Sequence, residues 1–100
     1  MKYKPKKFHL EGLIASDDKL ISGRVHAENW LLKEMREQGF VPMLAMEPIW
    51  KLLKQKNHAY KFELSVYAVY VGKEDAWTTE GMDETGKLLP RIHQTKLSMS

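Results

Sequence analysis

The sequence contains no cysteine and no long uninterrupted run of apolar residues. The first absence excludes disulfide bridges, thiolate nucleophiles, and zinc or iron–sulfur sites built on cysteine. The second leaves no candidate for a membrane-spanning helix, since about 20 consecutive apolar residues are needed to cross a bilayer. We therefore expect no membrane among the partners of this chain.

An apolar stretch is also missing near the N-terminus, where a secretory signal would need one. The basic first residues are followed by His9, Glu11, Asp17 and Asp18. This pattern is not typical of an export signal. A cytoplasmic location is the expectation.

Motifs for catalysis and for phosphate binding are absent as well. No serine lies in a Gly-x-Ser-x-Gly elbow, the glycines are dispersed along the chain, and His-Glu-x-x-His does not occur. The sequence therefore predicts no catalytic residue, no metal site and no cofactor.

The composition that remains is that of an ordinary globular domain, with 43% hydrophobic and 29% charged residues. One hundred residues correspond to one domain. Periodic patterning stops at Pro90. We expect a single domain over 1–89 and a mobile C-terminal tail over 90–100.

Charge is distributed in blocks, although the net charge is only +3. The tracts 2–7 and 51–61 contain lysines and no acid, whereas 74–84 contains acids and no base. Such blocks are commonly solvated surface, but they also suit electrostatic steering towards a charged partner.

Residues 8–15 and 20–27 predict a β-hairpin with a loop at 16–19. Placing Ala15 opposite Leu20 gives one apolar face, and a slip of one residue would destroy that sorting. This face consists of Phe8, Leu10, Ile14, Ile21, Val25 and Ala27. The opposite face then forms a polar cluster of cross-strand pairs, His9 with His26 and Glu11 with Arg24.

Helical spacing of Trp30, Leu31 and Met35 predicts the buried stripe of a helix over 29–38. Asn29 is its predicted N-cap, Gly39 its stop, and Arg36 faces water. A second helix is predicted from Pro48, which suits a first helical turn. Its buried side would consist of Ile49, Trp50, Leu52 and Leu53. Between them, 40–46 predicts a short extended segment.

The segment 60–71 gives the strongest strand pattern, and its second half is apolar on both faces, so another element should cover it. A turn at 72–75, a returning strand at 76–82, a turn at 83–86 and a short edge at 87–89 complete the prediction. The fold class is α+β: an antiparallel sheet of about four or five strands, including hairpin 8–27, with one or two helices packed on one face.

Two residue groups are candidates for function. The first is the polar cluster His9, Glu11, Arg24 and His26, whose imidazoles could share a metal ion or act as acid and base, although an exposed sheet face needs polar residues in any case. The second is the basic segment, which could contact phosphates or an acidic protein surface. It comprises Trp50, Lys51, Lys54, Lys56, His58 and Lys61.

The leading hypothesis is a small non-enzymatic module that binds and modulates a protein partner. In size and type the chain would suit an accessory protein of a phage or mobile element. The alternative is nucleic-acid binding through the basic tracts 2–7 and 51–61, and a third hypothesis is an enzyme that uses the two histidines. The oligomeric state is left open by the sequence.

Overall fold

The computed structural model describes residues 4–90, which form an α+β domain, as the sequence predicts. A four-stranded antiparallel sheet carries one long helix, and a two-stranded sheet with a short helix lies beside it. Single 3-10 turns at Asp17–Lys19 and Lys56–His58 precede α1 and β4. The elements are β1 (Lys6–Ile14), α1 (Leu20–Glu37), β2 (Phe40–Pro42), β3 (Ile49–Lys54), β4 (Tyr60–Tyr70), α2 (Lys73–Thr78), β5 (Thr79–Met82) and β6 (Leu88–Pro90).

The long strand β4 is the centre of the main sheet. On one side it pairs antiparallel with β1 over its first nine residues, from Tyr60 to Ala68. On the other side β3 pairs with Tyr60–Ser65 and β2 with Ala68–Tyr70. Because β2 and β3 run in the same direction along β4, they act as one strand interrupted by the loop 43–48.

The two faces of β4 are buried by different layers. Phe62, Leu64, Val66 and Ala68 alternate along β4 and form the main core, with α1 contributing Ala27, Leu31 and Met35. On the opposite face Val69 packs with Val41, Ala76 and Met82. The predicted cover over the second half of this strand is thereby confirmed.

The predicted hairpin 8–27 is wrong, because residues 20–27 form the first half of α1. The segment 20–37 carries one apolar stripe at helical spacing, and Ala27, Leu31 and Met35 on it are buried. A strand over 20–27 would separate Ala27 from the rest of that stripe. β1 instead takes β4 as its partner, where Phe8 lies opposite Val66 and Leu10 opposite Leu64.

The predicted second helix from Pro48 is also wrong, since Ile49–Lys54 is strand β3. Trp50 and Leu52 lie opposite Leu64 and Phe62, so pairing with β4 buries part of the apolar residues that were assigned to a helix face. A strand also satisfies main-chain groups along β4 that would otherwise have no partner.

Three boundaries differ from those predicted. Asn29 lies inside α1 and does not cap it, α2 occupies most of the predicted turn 72–75, and the returning strand begins at Thr79. Arg36 is 4% exposed, which contradicts its predicted contact with water.

Other features are confirmed. Gly39 follows the end of α1 with φ of 90°, a backbone conformation that glycine adopts without strain. The turn at 83–86 is closed by the Gly86 N–H, which donates to the Asp83 carbonyl at 3.0 Å. Pro90, predicted as the first residue of the tail, is instead the last residue of β6, and the remainder of the predicted tail lies outside the described residues. Between residues 4 and 90, no helix combines the length and the apolar character that crossing a bilayer requires.

Candidate functional site

The polar cluster predicted on the hairpin is divided in the fold. His9 and Glu11 alternate along β1 on the sheet face opposite to α1, whereas Arg24 and His26 lie on α1. His9 Nε2 lies 3.1 Å from Glu11 Oε2 and 3.9 Å from Glu63 Oε1. The predicted pairs of His9 with His26 and of Glu11 with Arg24 are therefore wrong, because only one member of each pair lies on a strand.

Ser65 completes the network around His9. Its Oγ lies 3.0 Å from His9 Nδ1, so the imidazole bridges a hydroxyl and the Glu11 carboxylate. This set has the residue types of a nucleophilic triad. The Ser65 side chain is buried, however, with the residue only 5% exposed, so a substrate has little access to it.

The part of the chain that the structure describes does not assemble a metal site either. Among residues 4–90 no three histidine, aspartate or glutamate side chains come together in a group that could hold a metal ion. His9, Glu11 and Glu63 instead form a polar network on an exposed sheet face, which Lys61 extends with a contact of 3.7 Å to Glu11 Oε1.

The basic segment is divided between the two faces of the sheet. Lys51 lies opposite Glu63 and Lys61 contacts Glu11, so acids are interleaved with these lysines. Lys54 ends β3, and Lys56 and His58 belong to the following 3-10 turn, all three exposed. Trp50 stacks on Phe62 with ring centroids 5.2 Å apart. The Arg24 guanidinium lies over the indole ring of Trp50, 5.4 Å from its centroid.

A shallow apolar groove lies between β1 and α1, with a volume of about 330 Å³. The helix approaches β1 closely because residue 23 is glycine: a Cβ there would lie 3.0 Å from the Ile14 side chain. Two large side chains at the groove are accessible, Trp30 at 51% and Leu13 at 73% exposure. The lining comprises Leu10, Leu13, Ile14, Gly23, His26, Ala27, Trp30 and Phe62.

The groove runs beside an open sheet edge. Within the part of the chain that the structure describes, β1 pairs with β4 alone. Alternate main-chain N–H and C=O groups of β1 therefore point away from the sheet. Lys4 and Lys7 lie exposed at the start of this edge.

The connection between β1 and α1 is fixed by a hydrogen bond at one end of the groove. The Tyr60 hydroxyl donates to Asp17 Oδ1 at 2.5 Å and joins the 3-10 turn to β4. This hydrogen bond raises the pKa of Tyr60, assisted by desolvation and by the nearby carboxylate charge. Because the folded-state pKa is raised, the contribution of this contact to stability is present at neutral pH and is lost as the phenol ionises at alkaline pH.

We predict that Asp17→Asn lowers the pKa of Tyr60 towards its ordinary value, because the neutral amide does not repel a phenolate. Ultraviolet absorbance titration of tyrosine ionisation measures this change. Asp18→Asn is the matched control, since Asp18 accepts from Ser16 and not from Tyr60. Identical titration curves for the wild-type chain and Asp17→Asn would contradict the assigned contact.

Sequence reasoning missed the groove because Trp30 was assigned to the buried stripe of a helix. His26 and Trp30 are one turn apart on α1, but they lie at the margin of the stripe, beside β1 and not over β4. Only the pairing of β1 with β4 reveals this margin, and that pairing has no local signal in the sequence.

No known protein family, no curated protein and no solved structure matches this chain.

Proposed function

We propose that this chain is a non-enzymatic interaction module that binds an extended segment of a partner protein along β1. The observation that supports it is the position of the apolar groove directly beside an unpaired strand edge. An open edge supplies main-chain hydrogen bonds to an added strand, and a neighbouring groove supplies selectivity for its side chains.

The groove accounts for which side chains a partner would need. In an added strand every second side chain points to the same face as the even-numbered side chains of β1, which is the face covered by α1. These side chains would enter the groove and meet Leu10, Ile14 and Trp30. The partner segment should therefore have large apolar residues at alternate positions.

Charge supports a second feature of the partner. Lys4 and Lys7 are exposed at the beginning of β1, and Lys2 belongs to the same tract in the sequence. Carboxylates on the partner segment near this end would be attracted and would accelerate association. The proposed ligand is thus an extended apolar segment with acidic residues at one end.

The test is selection from a random peptide library displayed on phage, followed by affinity measurement with synthetic peptides. We expect a consensus of alternating apolar residues with acids at one end. Trp30→Ala should weaken binding by about 30-fold, because an aromatic anchor of an interface contributes roughly 2 kcal/mol. Circular dichroism would verify that the variant is folded.

A matched pair of leucines locates the binding edge. Leu13 and Leu53 lie opposite Lys61 on its two sides, and both are well exposed. Leu13→Ser should weaken binding, whereas Leu53→Ser should not. The reverse result, or a selection that yields no peptide, would refute the proposal.

Nucleic-acid binding is the second candidate, supported by exposed Lys54 and Lys56 at one end of the sheet. It is weaker because Glu63 and Glu11 lie next to the other two lysines of the segment. Tight binding of a single-stranded or duplex probe that survives about 0.15 M salt and is lost in Lys54→Glu would favour this candidate over the first.

A further inference from the structure

The second open edge of the main sheet, β3, carries an unusual amount of exposed apolar surface. Within residues 4–90, β3 pairs with β4 alone. Ile49, Leu52 and Leu53 are 40%, 42% and 63% exposed. An exposed apolar edge strand is a site of association with another strand, because native edges are ordinarily protected.

The helix adds apolar surface on the same side of the molecule. Arg24 lies over Trp50 of β3, so the flank of α1 next to Arg24 faces the β3 edge. Ile21 and Val25, one turn apart on that flank, are 83% and 47% exposed. The exposed side chains of β3 and α1 together form the β3 surface, defined as Ile21, Val25, Ile49, Leu52 and Leu53.

We propose that the β3 surface is a dimer interface, in which β3 pairs antiparallel with β3 of a second copy of this chain. The proposal is independent of the groove beside β1 and goes beyond the function proposed above. It places a twofold axis perpendicular to the sheet, so that both α1 helices lie on one face of a continuous sheet.

The register follows from the alternation of side chains. Opposed residues of an antiparallel pair point to the same face, so a twofold axis allows only odd residues opposite odd and even opposite even. Centring the axis on Lys51 would place two lysines face to face, which is unfavourable. Centring it on Leu52 places Leu52 opposite its copy and Lys51 opposite Leu53.

Charge complementarity supports the same register and a second copy as the occupant. The register centred on Leu52 places Lys54 and Lys56 of each copy opposite Trp50 and Pro48 of the other. Glu47 is exposed next to Pro48, and Asp83 and Glu84 line a cavity together with Leu44 and Ala45 of the same loop. The basic end of each β3 strand therefore approaches the acidic side of the loop 43–48 in the other copy.

The dimer would have strand order β1-β4-β3-β3-β4-β1 across the two copies. Both β1 edges and both grooves would lie at the outer margins of this sheet. A dimer could therefore bind two partner segments at once, which would raise its avidity for a multivalent partner.

Sedimentation equilibrium of the full chain tests the association. We expect a mass of twice 11.7 kDa. Leu52→Glu should weaken the dimer by about tenfold or more, because it buries carboxylates at the axis. Leu13→Glu, at an exposed site on the other edge, should leave the dimer intact. A monomer over the whole concentration range would overturn the proposal.

The absence of cysteine permits a direct test of the register. Residues directly opposite in an antiparallel pair have Cα atoms about 4.5–5.5 Å apart, which suits a disulfide. Leu52→Cys should form a covalent dimer rapidly under mild oxidation, whereas Leu13→Cys should not. Equal rates of cross-linking in the two variants would refute the twofold pairing at Leu52.

A charge exchange provides an independent test. Glu47→Lys and Lys56→Glu should each weaken association, and the double variant should recover most of the loss because the opposite charges are restored. Additive losses in the double variant would contradict the proposed contact between the loop and the basic end of β3.

Discussion

Leu64→Ala is expected to lower the free energy of unfolding by about 3 kcal/mol, within the range of roughly 2–5 kcal/mol for a leucine removed from a core. Leu64 has no exposed surface and lies in the middle of the central strand β4. Leu10 of β1 and Trp50 of β3 are its cross-strand neighbours. Since strands hold β4 on both sides, the surroundings cannot collapse to fill the cavity, and the loss should not fall at the low end of the range.

Urea denaturation followed by circular dichroism measures this change, provided that the slope of the transition is unchanged. Leu13→Ala is the matched control, because Leu13 belongs to the same sheet but is 73% exposed. Its cost should stay within about 0.5 kcal/mol. Equal losses in the two variants would show that Leu64 does not occupy the centre of the core.

The central strand could be predicted from the sequence because its side chains alternate over a long stretch. Phe62, Leu64 and Val66 all lie on the face that α1 covers, as period two requires. The apolar second half of the strand also correctly indicated a second layer, which Val41, Ala76 and Met82 supply. A local pattern suffices where one secondary structure alone accounts for it.

The segment 20–27 could not be assigned in this way because two periods fit it. Ile21, Val25 and Ala27 can be sorted onto one face of a hairpin, yet Ala27 also belongs to a stripe that continues through Leu31 and Met35. The helical interpretation is favoured because it buries the longer stripe. A window of eight residues does not contain that information.

The candidate sites were less accessible to sequence reasoning than the fold class. Period two correctly placed His9 and Glu11 on one face of β1, but their neighbours Ser65 and Glu63 lie more than fifty positions away in the sequence. The groove and the β3 surface both depend on which strands remain at the edges. That choice follows from pairing between distant segments, for which a single sequence offers no local signal.

Arg36→Met is expected to lower the free energy of unfolding by about 2–3 kcal/mol, a large effect for a residue that the sequence placed in water. Arg36 Nη2 donates to the Thr79 carbonyl at 3.0 Å and to the Glu80 carbonyl at 3.5 Å. These bonds join the last turn of α1 to β5 and hold the two-stranded sheet against the helix. Methionine keeps the length and helix propensity of the side chain but leaves the buried Thr79 carbonyl without this donor.

The free energy of unfolding of Arg36→Met, measured in urea, should be compared with that of Lys33→Met. Lys33→Met removes an exposed cation from the same helix and should cost less than about 0.5 kcal/mol. Amide hydrogen exchange adds a local readout, because loss of the Arg36 bonds should accelerate exchange in β5 and β6 more than in β4. The loss of stability in Arg36→Met should be present at neutral pH and should not depend on histidine ionisation, since the acceptors of Arg36 are main-chain carbonyls. If Arg36→Met and Lys33→Met prove equally stable and exchange in β5 is unaltered, Arg36 does not connect the helix to the smaller sheet.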